Sequence, residues 1–295
     1  MKIENVHLIT FSPTHTSKRV GEAIVRGLGI ENSKKVDLTF QALDEYEIPT
    51  TDLALISVPV YGGKVAPLAL QRLEGIRSNG APVVLVVVYG NRAYEKALQQ
   101  LDAFVTERGF KVISGGTFIG EHSYSTPSNP IAVGRPDTDD LQFAEEYGQK
   151  LLFKIEQAAD LEHLYGVDVL RIQRPSQPIF PMLRFIWQLS QWRKQGVVMP
   201  RTPQVDATLC TQCGACVNLC PTQAITLGEE GCVTEKERCI KCCACVKMCP
   251  QQARSFDTPY APLISGNFKK RKQNRIIIHN SKFTTNAFFV FSVMQ

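Results

Sequence analysis

Residues 1 to 209 contain no cysteine; all ten lie between Cys210 and Cys249. Thiolate chemistry is therefore confined to one short stretch of a 295-residue chain. Long hydrophobic runs are also missing, since none approaches the roughly 18 residues that argue a membrane span. The N-terminus "MKIENVHLITFS" lacks an apolar region followed by a small-residue cleavage site. These absences lead to the expectation of a cytoplasmic, reducing setting, where clustered cysteines bind metal or do redox chemistry more often than they form structural disulfides. No G-x-G-x-x-G follows a strand and opens a helix; "GGTFIG" lies within and after a strand, so direct nicotinamide binding has no support. Charge of one sign is not abundant either. The formal net charge is +5, and much of the excess sits in "FKKRKQNR", residues 268–275, which is read as a solvated run rather than a nucleic-acid contact.

The length leaves room for two units, and the cysteines say where to cut. The chain divides into 1–160, a linker at 161–205, a cysteine-rich unit at 206–262 and a basic, irregular tail at 263–295. The first unit alternates strand and helix patterns. "VHLITFS" is a short apolar run, and in the following "KRVGEAIVRGL" the residues Val20, Ala23, Ile24 and Leu28 share a helical face. Strands "KVDLTF", "LALISVPV", "PVVLVVVYG" and "KVISGGTFI" follow, interleaved with helices "PLALQRLEGI", "YEKALQQLDAFVTERG" and "DDLQFAEEYGQKLLFKIEQ". That alternation implies a doubly wound parallel sheet, with "VVLVVV" buried on both faces.

In such a sheet ligands bind beyond the carboxyl ends of the strands. The first of these loops, "SPTHTS" at 12–17, gathers four hydroxyls at a helix start, where outward-pointing amides and the helix dipole favour a phosphate over a simple cap. Two later strand ends, "PVYGGKVAP" and "VYGNRAY", each set a tyrosine beside glycine, which suits a flat ring approached closely by backbone. Together they suggest a flat phosphorylated cofactor, although each tyrosine taken alone reads as core.

The segments "FSPTHTSK", "PVYGGKVAP", "VYGNRAY" and "FIGEHSYS" resemble the flavodoxin domain of bacterial and archaeal flavodoxin-ferredoxin fusion proteins. The resemblance covers nearly the whole chain apart from its last twenty or so residues. It implies a flavodoxin-like α/β domain followed by a small α+β two-cluster ferredoxin domain. It also implies flavin mononucleotide (FMN) as cofactor, with the phosphate at Ser12, Thr14, His15, Thr16 and Ser17. The isoalloxazine ring would lie at Tyr61, Gly62, Gly63, Tyr89, Gly90 and Asn91. At His15 flavodoxins usually carry glycine, which permits a positive φ and a close approach to phosphate; histidine is among the other residues found there.

The linker contains both tryptophans of the protein, in "RPSQPIFPMLRFIWQLSQWRKQG". Leu183, Ile186, Trp187 and Ser190 share a helical face, with Phe185, Leu189 and Trp192 beside them and Arg184, Arg193 and Lys194 nearby. Docking between the domains is the preferred reading; contact with a membrane surface through residues 180–194 is the alternative.

"CTQCGACVNLCP" at 210–221 recurs as "CIKCCACVKMCP" at 239–250. The spacing C-x2-C-x2-C-x3-C-P, present twice, is that of bacterial ferredoxins with two [4Fe-4S] clusters. In that pattern the fourth cysteine crosses to the other cluster. One cluster takes Cys210, Cys213, Cys216 and Cys249; the other takes Cys239, Cys242, Cys245 and Cys220. Zinc is the alternative for paired C-x2-C units. Cys232 and Cys243 remain over and are read as packing residues. The expected function is electron transfer between FMN, two [4Fe-4S] clusters and redox partner proteins. A flavin-dependent reductase and an iron-sulfur sensor are the alternatives.

Overall fold

The computed structural model describes residues 1–229 and 231–278. The N-terminal unit runs β1 (Val6–Thr10), α1 (Thr16–Leu28), β2 (Ser33–Asp37), β3 (Tyr46–Ile48), β4 (Leu53–Tyr61), β5 (Lys64–Val65), α2 (Pro67–Arg72), β6 (Ile76–Ser78), β7 (Pro82–Tyr89), α3 (Ala97–Thr106), β8 (Lys111–Ile119) and α4 (Thr138–Gln157). The long strands β2, β1, β4, β7 and β8 pair in parallel in that order. Counting only these five gives the order 2-1-3-4-5 of the flavodoxin-like doubly wound sheet. All eight residues of β7 are buried, because helices cover both of its faces.

One face is covered by α1 and α4, the other by α2 and α3. Val20, Ala23, Ile24 and Leu28 of α1 are completely buried in the first of these layers. α1 and α4 approach so closely that a Cβ on Gly27 would lie 1.8 Å from the Glu145 carbonyl oxygen. The helix expected over "PLALQRLEGI" stops at Arg72, and Ile76–Ser78 pairs instead with β3 as a small parallel ladder.

After the 3-10 turn Val169–Arg171 comes α5 (Ile179–Lys194), followed by β9 (Gln204–Val205), α6 (Ala215–Asn218), β10 (Ile225–Gly228), β11 (Gly231–Thr234), α7 (Ala244–Lys247) and β12 (Arg254–Ser255). The hairpin β10–β11 and the pair β9–β12 frame the cysteine repeat. α6 and α7 sit at equivalent places in its two halves. Positive φ recurs in the same register: Gln212 and Lys241, Gly214 and Cys243, Gln223 and Gln252. Each pair is separated by 29 positions, the offset of the cysteine motifs.

The segment expected to be an irregular tail from residue 263 is ordered in its described part. α8 (Tyr260–Asn267) runs across that boundary, and β13 (Arg275–Ile277) adds antiparallel to the open edge of β8. Ile276 and Ile277 reach both core layers there, which gives the strand an apolar reason to dock. The remainder of the tail, from residue 279, lies outside the described residues.

Candidate redox site

The loop between β1 and α1 opens the site. Ser12 is buried, its amide donating to Thr39 Oγ1 (2.9 Å) and its Oγ accepting from the Lys18 amide (3.1 Å). His15 caps α1 with φ 61°. The glycine-like conformation expected at this position is therefore present on a histidine, at a cost of roughly 1–2 kcal/mol. His15 itself makes no side-chain cap and Ser12 Oγ takes only the Lys18 amide, so the amides before it keep their capacity to bind an acceptor. Ser17 Oγ is buried without a partner among the described residues. An orphaned hydroxyl beside free helix-start amides fits a phosphate.

The expected ring loops divide. Tyr61 is half-buried at the end of β4, with Gly62 (φ 60°) and Gly63 (φ 83°) turning the chain after it. Tyr89 is different. It is 2 % exposed and packs edge-on to Tyr94 at 5.6 Å in the sheet core, so it does not flank a ring at the surface. Its β7 position has cover on both sides, and the core reading of this tyrosine is the one realised. Asn91 is also withdrawn. Its Nδ2 donates to the carbonyls of Phe268 (2.8 Å) and Lys270 (3.2 Å), and its Oδ1 accepts from the Lys272 amide (3.1 Å), so its side chain fastens the strap after α8. Gly90 is covered by His122, whose imidazole would lie 2.4 Å from a Cβ placed there.

His122 has a property that pattern reading does not reveal. Burial, with Lys247 and Arg92 nearby, pushes its pKa down to about 4. The unfolded chain then binds more protons than the folded one between the ordinary histidine value and that point. Stability is complete above about pH 6.5 and is lost as pH falls toward 4, by up to about 3 kcal/mol. Urea midpoints at pH 7.5 and 4.5 should therefore fall less in His122→Asn than in the unaltered chain; an equal fall in both would refute this.

The cysteines line two separate cavities. Cys210, Cys213, Cys216 and Cys249 border one, and Cys220, Cys239, Cys242 and Cys245 border the other. Each cavity thus collects three thiols from one motif and the fourth from the other. Among the described residues no three His, Cys, Asp or Glu side chains converge on a point that would hold a single metal ion. Thiols spread around a void suit a polynuclear cluster better than one zinc.

Of the two surplus cysteines, Cys232 borders the first cavity with its sulfur 3.3 Å from that of Cys216. Cys243 borders the second at φ 59°, where the first motif has Gly214 at 74°. Burial pushes the thiols of Cys232 and Cys242 up to about 12 and that of Cys245 up to about 11. Such thiols stay protonated at neutral pH unless a metal displaces the proton.

Arg254 is a residue that motif reading passes over. It is 4 % exposed at the first cavity, with Nη1 4.0 Å from Cys216 Sγ and Nη2 donating to Thr234 Oγ1 (2.5 Å). Its Nε has no partner, and no carboxylate pairs with it among the described residues. A buried cation without a counter-charge costs several kcal/mol. An anionic iron-thiolate cluster in the adjoining cavity would supply that charge.

The second cavity lies against the flavodoxin-like unit. Burial first, with Cys242, Cys243 and Tyr124 adding to it, holds the Tyr61 phenol well above its ordinary value. Arg72 Nη2 donates to the Pro221 carbonyl (2.5 Å), and Lys247 Nζ donates to Glu121 Oε1 (2.5 Å) and the Ser125 carbonyl (2.7 Å). Tyr124 packs on Phe256 at 5.2 Å, and Ile240 packs on the sheet core. The loop at the carboxyl end of β8 thereby meets the second cysteine motif directly.

Residues 203–226 match the 4Fe-4S binding domain family. A flavodoxin from the domain Archaea is 14% identical over 52% of this chain and 99% of its own, with a TM-score of 0.35. The Fusobacterium nucleatum flavodoxin bound to flavin mononucleotide is 17% identical over 52% and 98%, with a TM-score of 0.35. An azoreductase from Bacillus anthracis is 12% identical over 51% and 100%, at 0.34. No curated protein matches. The N-terminal unit is a flavodoxin-like parallel sheet on its own strand order, and the C-terminal region is of the 4Fe-4S ferredoxin type.

Proposed function

We propose that the chain is an electron-transfer protein of the flavodoxin-ferredoxin fusion type, carrying FMN and two [4Fe-4S] clusters and serving redox partner proteins. The observation that carries this reading is the bonded junction between the flavodoxin-like unit and the cysteine repeat, where Lys247 of the second motif reaches Glu121 and the Ser125 carbonyl beyond β8 and Ile240 packs on the sheet core. When bound, FMN exchanges one or two electrons and each cluster one, and the protein contributes position and electrostatics.

Ser12, Thr14, Thr16 and Ser17 would hold the phosphate, and Tyr61 with Gly62 and Gly63 the ring end. Tyr61 and Tyr124 exclude water between that end and the second cavity. Arg72 and Lys247 fix the separation by bonding across the junction. The two cavities share the cysteine repeat, so they form successive stations leading away from the flavin side.

Anaerobic purification with iron, sulfide and flavin quantified tests the reading. The expected content is about eight irons and one flavin per chain. Full iron without flavin would sink the flavin half and leave a ferredoxin on a flavodoxin-like scaffold, in keeping with the withdrawn Tyr89 and Asn91. Zinc in place of iron would sink the whole.

A further inference from the structure

α5 has two apolar faces, and among the described residues only one is covered. Met182 and Phe185 pack beside α8 against Ile131, Ile264 and Phe268, with Phe185 and Phe268 rings 5.3 Å apart. Trp192 meets Tyr260 at 5.7 Å. The helix thus docks through Met182, Phe185 and Trp192, whereas the face expected to dock, Leu183, Ile186, Trp187 and Ser190, is the one left exposed. The opposite face carries Ile179, Phe180, Leu183, Ile186 and Trp187, which are 55 to 83 % exposed. At 100° per residue they span roughly 120° of the circumference, a continuous stripe rather than scattered side chains.

Charge says what covers the stripe. Between Asp168 and Asp206 the sequence has no acidic residue but carries Arg171, Arg174, Arg184, Arg193, Lys194 and Arg201. These six charges exceed the formal net charge of the whole chain, +5. All six are exposed, and only Arg171 forms an ion pair among the described residues, with Asp168. A helix with an aromatic and aliphatic stripe, exposed cations and no anion has the features of an interfacial helix on an anionic bilayer. No described helix is long and apolar enough to cross a membrane, so such contact is peripheral.

We propose that α5 seats this protein on the surface of an anionic lipid membrane. Phe180 and Trp187 enter the headgroup boundary, while Arg184, Arg193 and Lys194 face the lipid phosphates. Met182, Phe185 and Trp192 keep the helix fixed to α8 meanwhile. Arg92 lies over the Phe185 ring at 5.8 Å, next to Asn91, which places the β7 loop beside the lipid-facing helix.

Flotation of the intact, cluster-loaded protein tests this with vesicles of phosphatidylcholine alone and of phosphatidylcholine with phosphatidylglycerol. The protein should float with the anionic vesicles and remain below with the neutral ones. Phe180→Gln/Trp187→Gln, with the same iron content, should bind the anionic vesicles roughly tenfold more weakly or worse. Arg193→Gln/Lys194→Gln should weaken binding and reduce its salt sensitivity. Protein left in the soluble fraction with anionic vesicles overturns the proposal. So does undiminished flotation of the Phe180/Trp187 variant, or a solution dimer of this face that does not bind vesicles.

Discussion

Cys220→Ala is expected to empty the cavity of the other motif and spare its own. Cys220 follows Cys216 in the chain, yet its thiol borders the cavity of Cys239, Cys242 and Cys245. Iron should fall from about eight to about four atoms per chain. A second substitution then tells the two arrangements apart. Cys220→Ala with Cys239→Ala removes two ligands of one cluster and should lose no more iron than either alone. Cys220→Ala with Cys213→Ala strikes both clusters and should leave almost none.

If each motif held its own cluster, the two double variants would exchange results. Cys213 and Cys239 are the right partners for this test because Cys232 and Cys243 adjoin Cys216 and Cys242 and offer substitute thiols. Small metal-bound units take much of their folding energy from the metal. The fully stripped variant should therefore also unfold in residues 203–256 while the flavodoxin-like sheet, with its own core, persists. Iron analysis and circular dichroism on the same samples read both effects.

Some of this site was legible in the chain and some was not, for physical reasons. The α1 face was legible because Val20, Ala23, Ile24 and Leu28 recur at the helical period, and burial of that stripe follows from amphipathicity alone. The two thiol sets were legible because the C-x2-C-x2-C-x3-C-P spacing recurs along the chain and the two cavities follow that repeat. Tyr89 was not, since a strand end fixes where a tyrosine begins but not which way it turns; Tyr94 and the core decide that. Asn91 and Gly90 depend on Phe268, Lys270, Lys272 and His122, which are distant in sequence. Arg254 left a signal that motif spacing ignores. It stands 29 positions after Ile225, so the repeat replaces an apolar residue at the second cavity with a cation at the first.

That break in symmetry sets the second expectation: Arg254→Ile should lower the reduction potential of the cluster at Cys210, Cys213, Cys216 and Cys249. Reduction adds negative charge to a cluster, and a nearby fixed cation stabilises the reduced form more than the oxidised one. Arginine keeps its charge in proteins. Between unit charges several Å apart at an effective dielectric near 20 the interaction is on the order of 2 kcal/mol, about 90 mV for one electron. The second cavity has Lys241 at its border, but that side chain is partly solvent-exposed and screened. Arg254 also opposes the burial-driven rise of the Cys245 and Cys239 thiols, so the second cluster should shift in the same direction by less.

In the proposed arrangement the cluster away from Tyr61 would be the easier one to reduce, and electrons arriving at the flavin side would run outward toward Cys213, the exposed thiol of its set. A redox titration followed by EPR should show two steps in the unaltered protein. Those steps should draw together in Arg254→Ile and stay apart in Arg254→Lys. Steps with unchanged separation in the isoleucine variant, at full iron content, would mean that the guanidinium only packs the cavity wall and that the outward gradient has another source.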